Sequence, residues 1–401
     1  MGKHTVKGYS SIVSITCAIF AVMSSDRLYA LDLARFLAML YMVQSHVLDG
    51  LLPTTITQSD TFFWEAWQWV RGLTAPVFLI VSGISHVFAA RRDEHGRIRE
   101  SVIERRIRMG FTILGIGYLL VFPGSRLIDL PYVSNDAWEE ALKANILHLI
   151  GATLIVFVLI MHSTTTMRQM QIRAIVAAVV VLCLSPIMHM EVVHSNLPMW
   201  LRPYLTIEYK SIFPFFPLAA YFFFGSFLGT ILKPMEQSKR DRLMYVLGAI
   251  GVVVAVPLFT YQHQVMNDSN WKTWSSPNSE FLVFARSSAA LAALALCTLS
   301  VQYTTKLNVA YQIFGRKGLH IYVIHIVLLY GTPWWDGYAR YNYRSLSISS
   351  ALVVLPIIMV STLAITYGIY RYEKLDLQAI TRARVRKAML GILALALLVG
   401  W

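Results

Sequence analysis

The chain has 401 residues, of which 56% are hydrophobic and only 14% are charged, and its mean hydropathy is +0.55. An ordinary soluble domain carries about a quarter charged residues. This composition therefore excludes a soluble domain and indicates a membrane protein. The net charge of +13 does not indicate a nucleic-acid partner, since the basic residues fall in alternate loops beside anionic lipid and no nucleic-acid-binding motif accompanies them.

The first segment, 1–26, is similar to a weak signal peptide, with Lys3 and Lys7 before the apolar run 12–23. Cleavage after this segment would invert the side of every later loop. We therefore expect a short uncleaved hydrophobic anchor or an extension without a structural role. Residues 27–401 contain no internal repeat and no low-complexity linker, so we expect one membrane domain.

Long apolar runs follow, each close to the roughly 20 residues that a helix needs to cross a bilayer. Since backbone polar groups must be satisfied internally in lipid, such runs predict helices. The predicted class is an all-α, polytopic integral membrane protein with about ten or eleven transmembrane helices. The candidate spans are 28–48, 66–90, 109–123, 142–161, 174–190, 211–232, 243–262, 280–303, 318–332 and 347–370, with a shorter run at 388–400.

The loops alternate between basic and nearly uncharged, which is the positive-inside pattern. Segment 91–108 has seven arginines, 233–242 has four basic residues and 371–387 has six, whereas 49–63 has none. This pattern predicts that the start of the first span and the C-terminal tail face the cytoplasm. The loops predicted to lie outside are 49–63, 124–141, 191–210, 263–279 and 333–346.

The first span contains three ionisable residues, Asp32, Arg35 and His46, which are costly in lipid and are therefore candidates for function. Asp32 and Arg35 are three residues apart and can pair on one helical face. Arg35 and His46 are eleven residues apart, which leaves an offset of about 20° around the helix and about 16 Å along it. The face offers a cation near the cytoplasmic side and a base near the other. Acyl transfer needs both, because acyl-CoA carries phosphates and the acceptor must lose a proton.

Five segments follow one another along the chain in an informative order. They are LDLAR (31–35) with His46 eleven residues after the arginine, TAPVFLIVSGIS (74–85), NILHLIGATL (145–154), FPFFPLAAYFFFGSFLG (213–229) and FGRKGLHIYVIH (314–325). In this order they resemble the transmembrane acyltransferases, and within them the bacterial relatives of heparan-α-glucosaminide N-acetyltransferase. Two positions depart from the family pattern, with Phe36 in place of a glycine and Leu218 in place of a tryptophan.

The resemblance implies a donor and an acceptor on opposite sides of a bacterial inner (cytoplasmic) membrane. Acyl-CoA, in the form of acetyl-CoA, would donate from the cytoplasm, and a sugar amine or glycan hydroxyl outside would accept. In the lysosomal branch of the family the catalytic histidine lies a little beyond the first helix, and the present sequence departs from this. Because 47–63 contain no histidine, His46 is the candidate in this region.

Further donor-site candidates lie toward the cytoplasmic side. His86 stands near the end of the second span, and Arg105, Arg106 and Arg316 lie where a nucleotide diphosphate would dock. Simpler interpretations stay open, since the positive-inside pattern already requires the arginines and His86 can serve packing alone. The Asp32–Arg35 pair can likewise serve only to lock helix packing.

Candidates for acceptor binding lie nearer the outer side: His148, His325 and Trp64, whose ring could stack on a sugar. In the simpler interpretation the two histidines make hydrogen bonds inside the bundle, Trp64 belongs to an interfacial aromatic belt, and His46 itself only caps its helix. The three cysteines lie in apolar runs without metal-ligand or redox spacing, so we expect no metal site.

Two other classes of function fit a polar face inside a membrane protein. One is a small-molecule or lipid transporter or flippase, in which the face lines a path. The other is a structural or sensory protein, which the buried charge disfavours. The sequence leaves open whether the protein forms a homo-oligomer.

Overall fold

The computed structural model describes residues 28–267, 279–304, 308–375 and 379–399, and the predicted anchor, 1–26, lies outside this part. The chain folds into helices joined by short loops. The longer helices are α1 (Tyr29–Leu51), α2 (Phe62–Arg71), α3 (Thr74–Phe88), α4 (Glu100–Leu120), α5 (Asn135–Leu142), α6 (Ile146–His162), α7 (Met167–Met188), α8 (Phe215–Leu232), α9 (Gln237–Asn267), α10 (Glu280–Val301), α11 (Asn308–Arg316), α12 (Gly318–Leu329), α13 (Ile348–Lys374) and α14 (Ala379–Val399). Shorter elements are the one-turn helices Thr54–Thr57, Glu191–His194, Arg202–Leu205 and Ala339–Asn342, the 3-10 turns Leu127–Tyr132 and Ile207–Tyr209, and the antiparallel strands β1 (Gly331–Thr332) and β2 (Trp335–Asp336).

Each predicted span falls on one of these helices except 66–90, which covers both α2 and α3, and the all-α membrane class is confirmed. By length and apolarity alone, six helical segments of the described chain can cross a membrane, or seven if α5 and α6, which meet at 56°, form one span. One of the six is α2 and α3 together, interrupted at Gly72 and Leu73. The helix α1 has 23 residues and is also long enough, but its polar residues reduce its hydropathy.

Polar caps fix where several helices begin. A side-chain oxygen just before each of these helices accepts a backbone N–H of the first turn, a group that otherwise lacks a partner. The capping residues are Ser134, Asn145, Thr166, Ser279 and Ser347, at the starts of α5, α6, α7, α10 and α13.

The helices α3 and α8 pack backbone to backbone. A Cβ on Gly83 of α3 would stand 2.1 Å from the carbonyl oxygen of Phe222 on α8. On α8, Gly225 and Gly229 are four residues apart and both face α3. Small residues at this spacing allow membrane helices to approach closely and gain dispersion contacts. The pair α3–α8 therefore forms a tightly packed unit inside the bundle.

The helix α1 is central, because α3, α10, α11, α12 and α13 all pack against it. Its start lies against α11, where a Cβ on Gly315 would stand 2.6 Å from the carbonyl oxygen of Asp32. Phe36, one of the two departures from the family pattern, stacks on Phe314 of α11 with ring centroids 5.7 Å apart. Side chains on α1 therefore meet protein on most sides.

The connecting segments gather at two ends of the bundle. At the first, which we call the basic end, Lys233 donates to the carbonyl oxygens of Val87 and Ala90, and the loops 89–99, 163–166 and 233–236 meet. At the second, which we call the aromatic end, the segments 52–61, 121–145, 189–214 and 330–347 lie. There Trp334 Nε1 donates to the carbonyl oxygen of Ser125 at 2.7 Å. The helix α1 runs from the basic end to the aromatic end.

Candidate active site

The half of α1 nearer the basic end carries an ion pair. Arg35 Nη1 lies 3.7 Å from Asp32 Oδ1, one turn earlier on the same face, and both side chains are largely buried. Arg35 Nη2 also donates to the carbonyl oxygen of Val81 on α3 at 3.3 Å. The guanidinium is thus fixed between α1 and α3.

The next turn of α3 carries His86 and receives a contact from Arg106 of α4, two more of the predicted donor-site residues. His86 Nδ1 donates to the carbonyl oxygen of Ser82 at 2.8 Å, and Arg106 Nη2 of α4 donates to the carbonyl oxygen of His86 at 2.5 Å. Arg106 is 6% exposed, so its charge is buried against the bundle. Arg35, His86 and Arg106 therefore converge on one stretch of α3, residues 81–86.

Arg105 and Arg316, the other predicted donor-site residues, have exposed side chains. Arg105 precedes the buried Arg106 on α4. Arg316 ends α11, next to the glycine that contacts Asp32. Both can meet a ligand that arrives from the solvent at the basic end, whereas Arg106 cannot do so without leaving its contacts.

Toward the aromatic end, His46 forms a pair with His325 of α12. His46 Nδ1 lies 2.8 Å from His325 Nε2, and the two rings are stacked with centroids 5.1 Å apart. His325 Nδ1 lies 2.8 Å from the carbonyl oxygen of Ile321, one turn earlier on α12. His325 is fully buried, whereas His46 is half-buried. Within the described residues, no hydrogen bond engages Nε2 of His46.

Tyr330, which follows the last residue of α12, supports His46 from the side. Its hydroxyl donates to the carbonyl oxygen of His46 at 3.1 Å, and its ring meets the imidazole edge-on. The contact depends on Gly50, where a Cβ would stand 2.9 Å from the Tyr330 hydroxyl oxygen. The next residue, Gly331, has a φ of +84°, which turns the chain into the β1–β2 hairpin.

The helix α2 covers the aromatic end of α1. Trp67 Nε1 donates to Gln44 Oε1 at 3.3 Å, and Arg71 Nη1 donates to Asp49 Oδ1 at 2.8 Å. Trp64 is half-buried and meets the Trp67 ring edge-on at 5.4 Å. Trp64 therefore lies on the helix that flanks the aromatic end of α1, and its ring packs on the ring of Trp67.

His148 lies in a different part of the aromatic end. Its Nδ1 accepts the backbone N–H of Asn145 at 3.2 Å, while the Asn145 side chain accepts N–H groups of the first turn of α6, which completes a capping box. The ring is fully buried and lies 4.1 Å from that of Tyr118. None of these contacts joins His148 to His46.

Comparison with known protein families gives one decisive match. Residues 27–266, or 240 of the 401, match the family described as heparan-alpha-glucosaminide N-acetyltransferase, catalytic. The chain belongs to this family. It is therefore an integral membrane protein with a membrane acetyltransferase type of function. No curated protein matches the chain.

The family match covers α1 to α9 and so includes the ion pair of α1, His46 and the contacts of α3. Arg316 and His325 lie beyond residue 266. The structure thus brings six of the predicted site residues into two groups. Asp32 and Arg35 converge with His86 and Arg106, and His46 pairs with His325. The others lie apart from both groups: Trp64, which packs on Trp67, the buried His148, and the exposed Arg105 and Arg316.

Several charged or polar residues near α1 are not among the predicted site residues. Arg286 of α10 packs its guanidinium against the helix break, where a Cβ on Gly72 would stand 3.0 Å from Nη2. Arg71, Asp49 and Tyr330 surround the His46 end. Arg286 and Arg71 were detectable, since each is a cation inside a predicted apolar span. Tyr330 lacks such a signal.

Proposed function

We propose that the protein transfers an acetyl group from cytoplasmic acetyl-CoA to an extracytoplasmic acceptor, a sugar amine or glycan hydroxyl. The observation that carries this proposal is the polar face of α1. It presents Arg35 toward the basic end and His46 toward the aromatic end of a helix that five others surround. In this proposal the basic end faces the cytoplasm of a bacterial inner membrane.

The donor binds at the basic end. Exposed Arg105 and Arg316 contact the phosphates of CoA, because charge-assisted hydrogen bonds from guanidinium suit phosphate oxygens. Arg35, oriented by Asp32, marks the depth to which the donor penetrates. His86 and Arg106 hold the wall of α3 against which the donor lies. The pantetheine arm then spans the distance of about 16 Å along α1 toward His46.

The acceptor meets the thioester at the His46 end, with the Trp64 ring offered to a sugar face. His46 takes the proton of the acceptor hydroxyl or amine while the acceptor atom attacks the thioester carbonyl carbon. The C–S bond of the donor breaks, and the CoA thiolate receives that proton from His46. The products are the acetylated acceptor and free CoA.

The test uses the full chain purified into lipid nanodiscs with radiolabelled acetyl-CoA and a panel of amino sugars and glycans. We expect label in at least one acceptor, and a loss of at least about 100-fold for His46→Ala while that variant still folds in the nanodisc. His162→Ala is the matched control, because this histidine ends α6 with an exposed side chain. Full activity of His46→Ala, or wild-type protein that neither transfers nor hydrolyses acetyl-CoA, would overturn the proposal.

A transporter or flippase is the second candidate. The break between α2 and α3 at Gly72 and the 56° bend between α5 and α6 are interruptions of the kind that line transport paths. Counterflow of the sugar acceptor in proteoliposomes without acyl donor would favour this candidate, and acetylation of the sugar without counterflow would exclude it.

A further inference from the structure

The hydrogen bonds of His325 determine which of its nitrogens carries a proton. Its Nδ1 lies 2.8 Å from the carbonyl oxygen of Ile321, and a carbonyl oxygen only accepts. Nδ1 of His325 therefore carries a hydrogen. In a neutral imidazole the other nitrogen then has a lone pair and no hydrogen, so His325 Nε2 must accept its bond.

The donor to His325 Nε2 is His46 Nδ1, at 2.8 Å. The reverse direction would require His325 to carry hydrogens on both nitrogens and a positive charge. Its ring is fully buried, none of the described carboxylates bonds to it, and its other aromatic neighbour is the neutral Tyr322 ring, with centroids 5.4 Å apart. Burying a charge without a counter-ion costs far more than burying a neutral ring.

We propose that His325 is a positioning residue, which holds His46 in the tautomer with hydrogen on Nδ1 and thereby makes Nε2 of His46 the proton-accepting atom. This inference rests on the proposed function of His46. The Ile321 carbonyl fixes the tautomer of His325, and His325 in turn fixes the tautomer of His46. His46 then faces the acceptor with Nε2. Tyr330 adds a second restraint through the His46 backbone.

This assignment removes His325 from the residues that bind the acceptor. Both of its nitrogens are engaged, one by Ile321 and one by His46, and the side chain is fully buried. A sugar hydroxyl or amine would have to break one of these bonds to reach it. His46, in contrast, keeps Nε2 outside this pair.

The assignment also specifies where the proton and the positive charge lie on the His46–His325 pair during the reaction. When His46 Nε2 takes the acceptor proton, His46 becomes an imidazolium whose Nδ1–H still donates to the neutral His325 Nε2. The charge stays on the ring that faces the reaction, and the proton leaves again from Nε2 to the CoA thiolate. No proton is gained or lost overall.

The first test is direct and needs no turnover. Nitrogen NMR of histidine-labelled protein in nanodiscs, with the His46 signals identified by their absence in His46→Ala, reports which nitrogen is protonated. We expect hydrogen on Nδ1 and a bare Nε2 in the neutral ring. His189, which follows the last residue of α7, supplies the reference, because its Nδ1 donates to the carbonyl oxygen of Ser185 at 2.7 Å. Hydrogen on Nε2 of His46 would overturn the inference.

The second test uses the two amides that mimic different ring nitrogens. Glutamine places its amide oxygen near the former Nε2 position and can still accept from His46, whereas the shorter asparagine cannot reach it. We expect His325→Asn to lower kcat about 10–100-fold with little change in the KM for acetyl-CoA, and His325→Gln to recover most of the rate. His189→Leu, the control for losing a ring-to-backbone bond, should leave kcat unchanged.

Equal rates for His325→Asn and wild type would contradict the positioning role. If the tautomer is as expected but wild-type protein transfers no acetyl group, the proposed function fails while the hydrogen-bond order stands. If transfer occurs but His46 carries hydrogen on Nε2, the function stands and the positioning role of His325 fails.

Discussion

Gly225 lies against Ile80 with no room for a side chain, since a Cβ on Gly225 would stand 2.1 Å from the Ile80 carbonyl oxygen. The obstacle is backbone, which cannot rotate away as a side-chain end could. We expect Gly225→Ala to separate α8 from α3 and to destabilise the protein by about 3 kcal/mol or more, the upper end of overpacking costs. Thermal unfolding in nanodiscs measures this effect.

Gly115 and Gly368 supply the matched control, because a Cβ on either meets nothing within 4 Å. Both lie inside helices, where alanine is favoured over glycine by about 1 kcal/mol. We expect Gly115→Ala and Gly368→Ala to leave the melting temperature unchanged or slightly raised. If either variant lowered the melting temperature as much as Gly225→Ala does, the close approach of α3 and α8 would not be the cause of that destabilisation.

Arg105 and Arg106 are adjacent, but only Arg106 is buried, with a bond to the His86 carbonyl and its guanidinium 5.7 Å from the ring centre of Phe157. We expect Arg106→Gln to lower the melting temperature clearly, because a buried group loses a charged partner. Arg105→Gln should not change stability but should raise the KM for acetyl-CoA about tenfold, the value of one charge-assisted hydrogen bond. Identical effects on stability would contradict this division.

His148 tests whether a buried histidine serves the fold or the acceptor. In a capping box, glutamine at the third helical position accepts the cap N–H as well as histidine does here. We expect His148→Gln to keep the stability and the KM for the acceptor, whereas Asn145→Ala costs about 1 kcal/mol. A raised acceptor KM for His148→Gln at unchanged stability would instead place His148 in the acceptor site.

Arg71 and Asp49 form an ion pair whose side chains are 39% and 26% exposed. Solvent screening limits what such an ion pair contributes to the free energy of unfolding, so we expect a coupling energy of no more than about 1 kcal/mol. A double-mutant cycle with Arg71→Gln and Asp49→Asn, followed by thermal unfolding, measures it. A coupling of several kcal/mol would show that α2 shields the pair from water far more than its exposure indicates.

The helices could be predicted because their cause is local. Backbone polar groups in lipid must be satisfied within the chain, and each predicted apolar run is helical in the structure, although the run 66–90 is divided between two helices. The pairing of Asp32 with Arg35 is equally local, since three residues separate them on one helical face. The interruption at Gly72 was not predicted, because an apolar run gives no signal where a helix divides.

The partners of His46 could not be predicted from spacing on α1. That spacing gives the face on which His46 lies, but the helix opposite that face depends on packing of the whole bundle. His325 is 279 residues away along the chain. Arg286 is a different case, because the rule that selects Arg35 also selects it, and only its contact with Gly72 required the structure.

The two imidazoles of the His46–His325 pair come from opposite sides of the boundary at residue 266, where the family match ends. In a chimera that exchanged only the matched region between two relatives, His46 would come from one relative and the residue that positions it, on α12, from the other. Rates in such hybrids should follow the origin of α12 as much as that of α1. Relatedness measured over the matched region alone is therefore an incomplete guide to how well the histidine works.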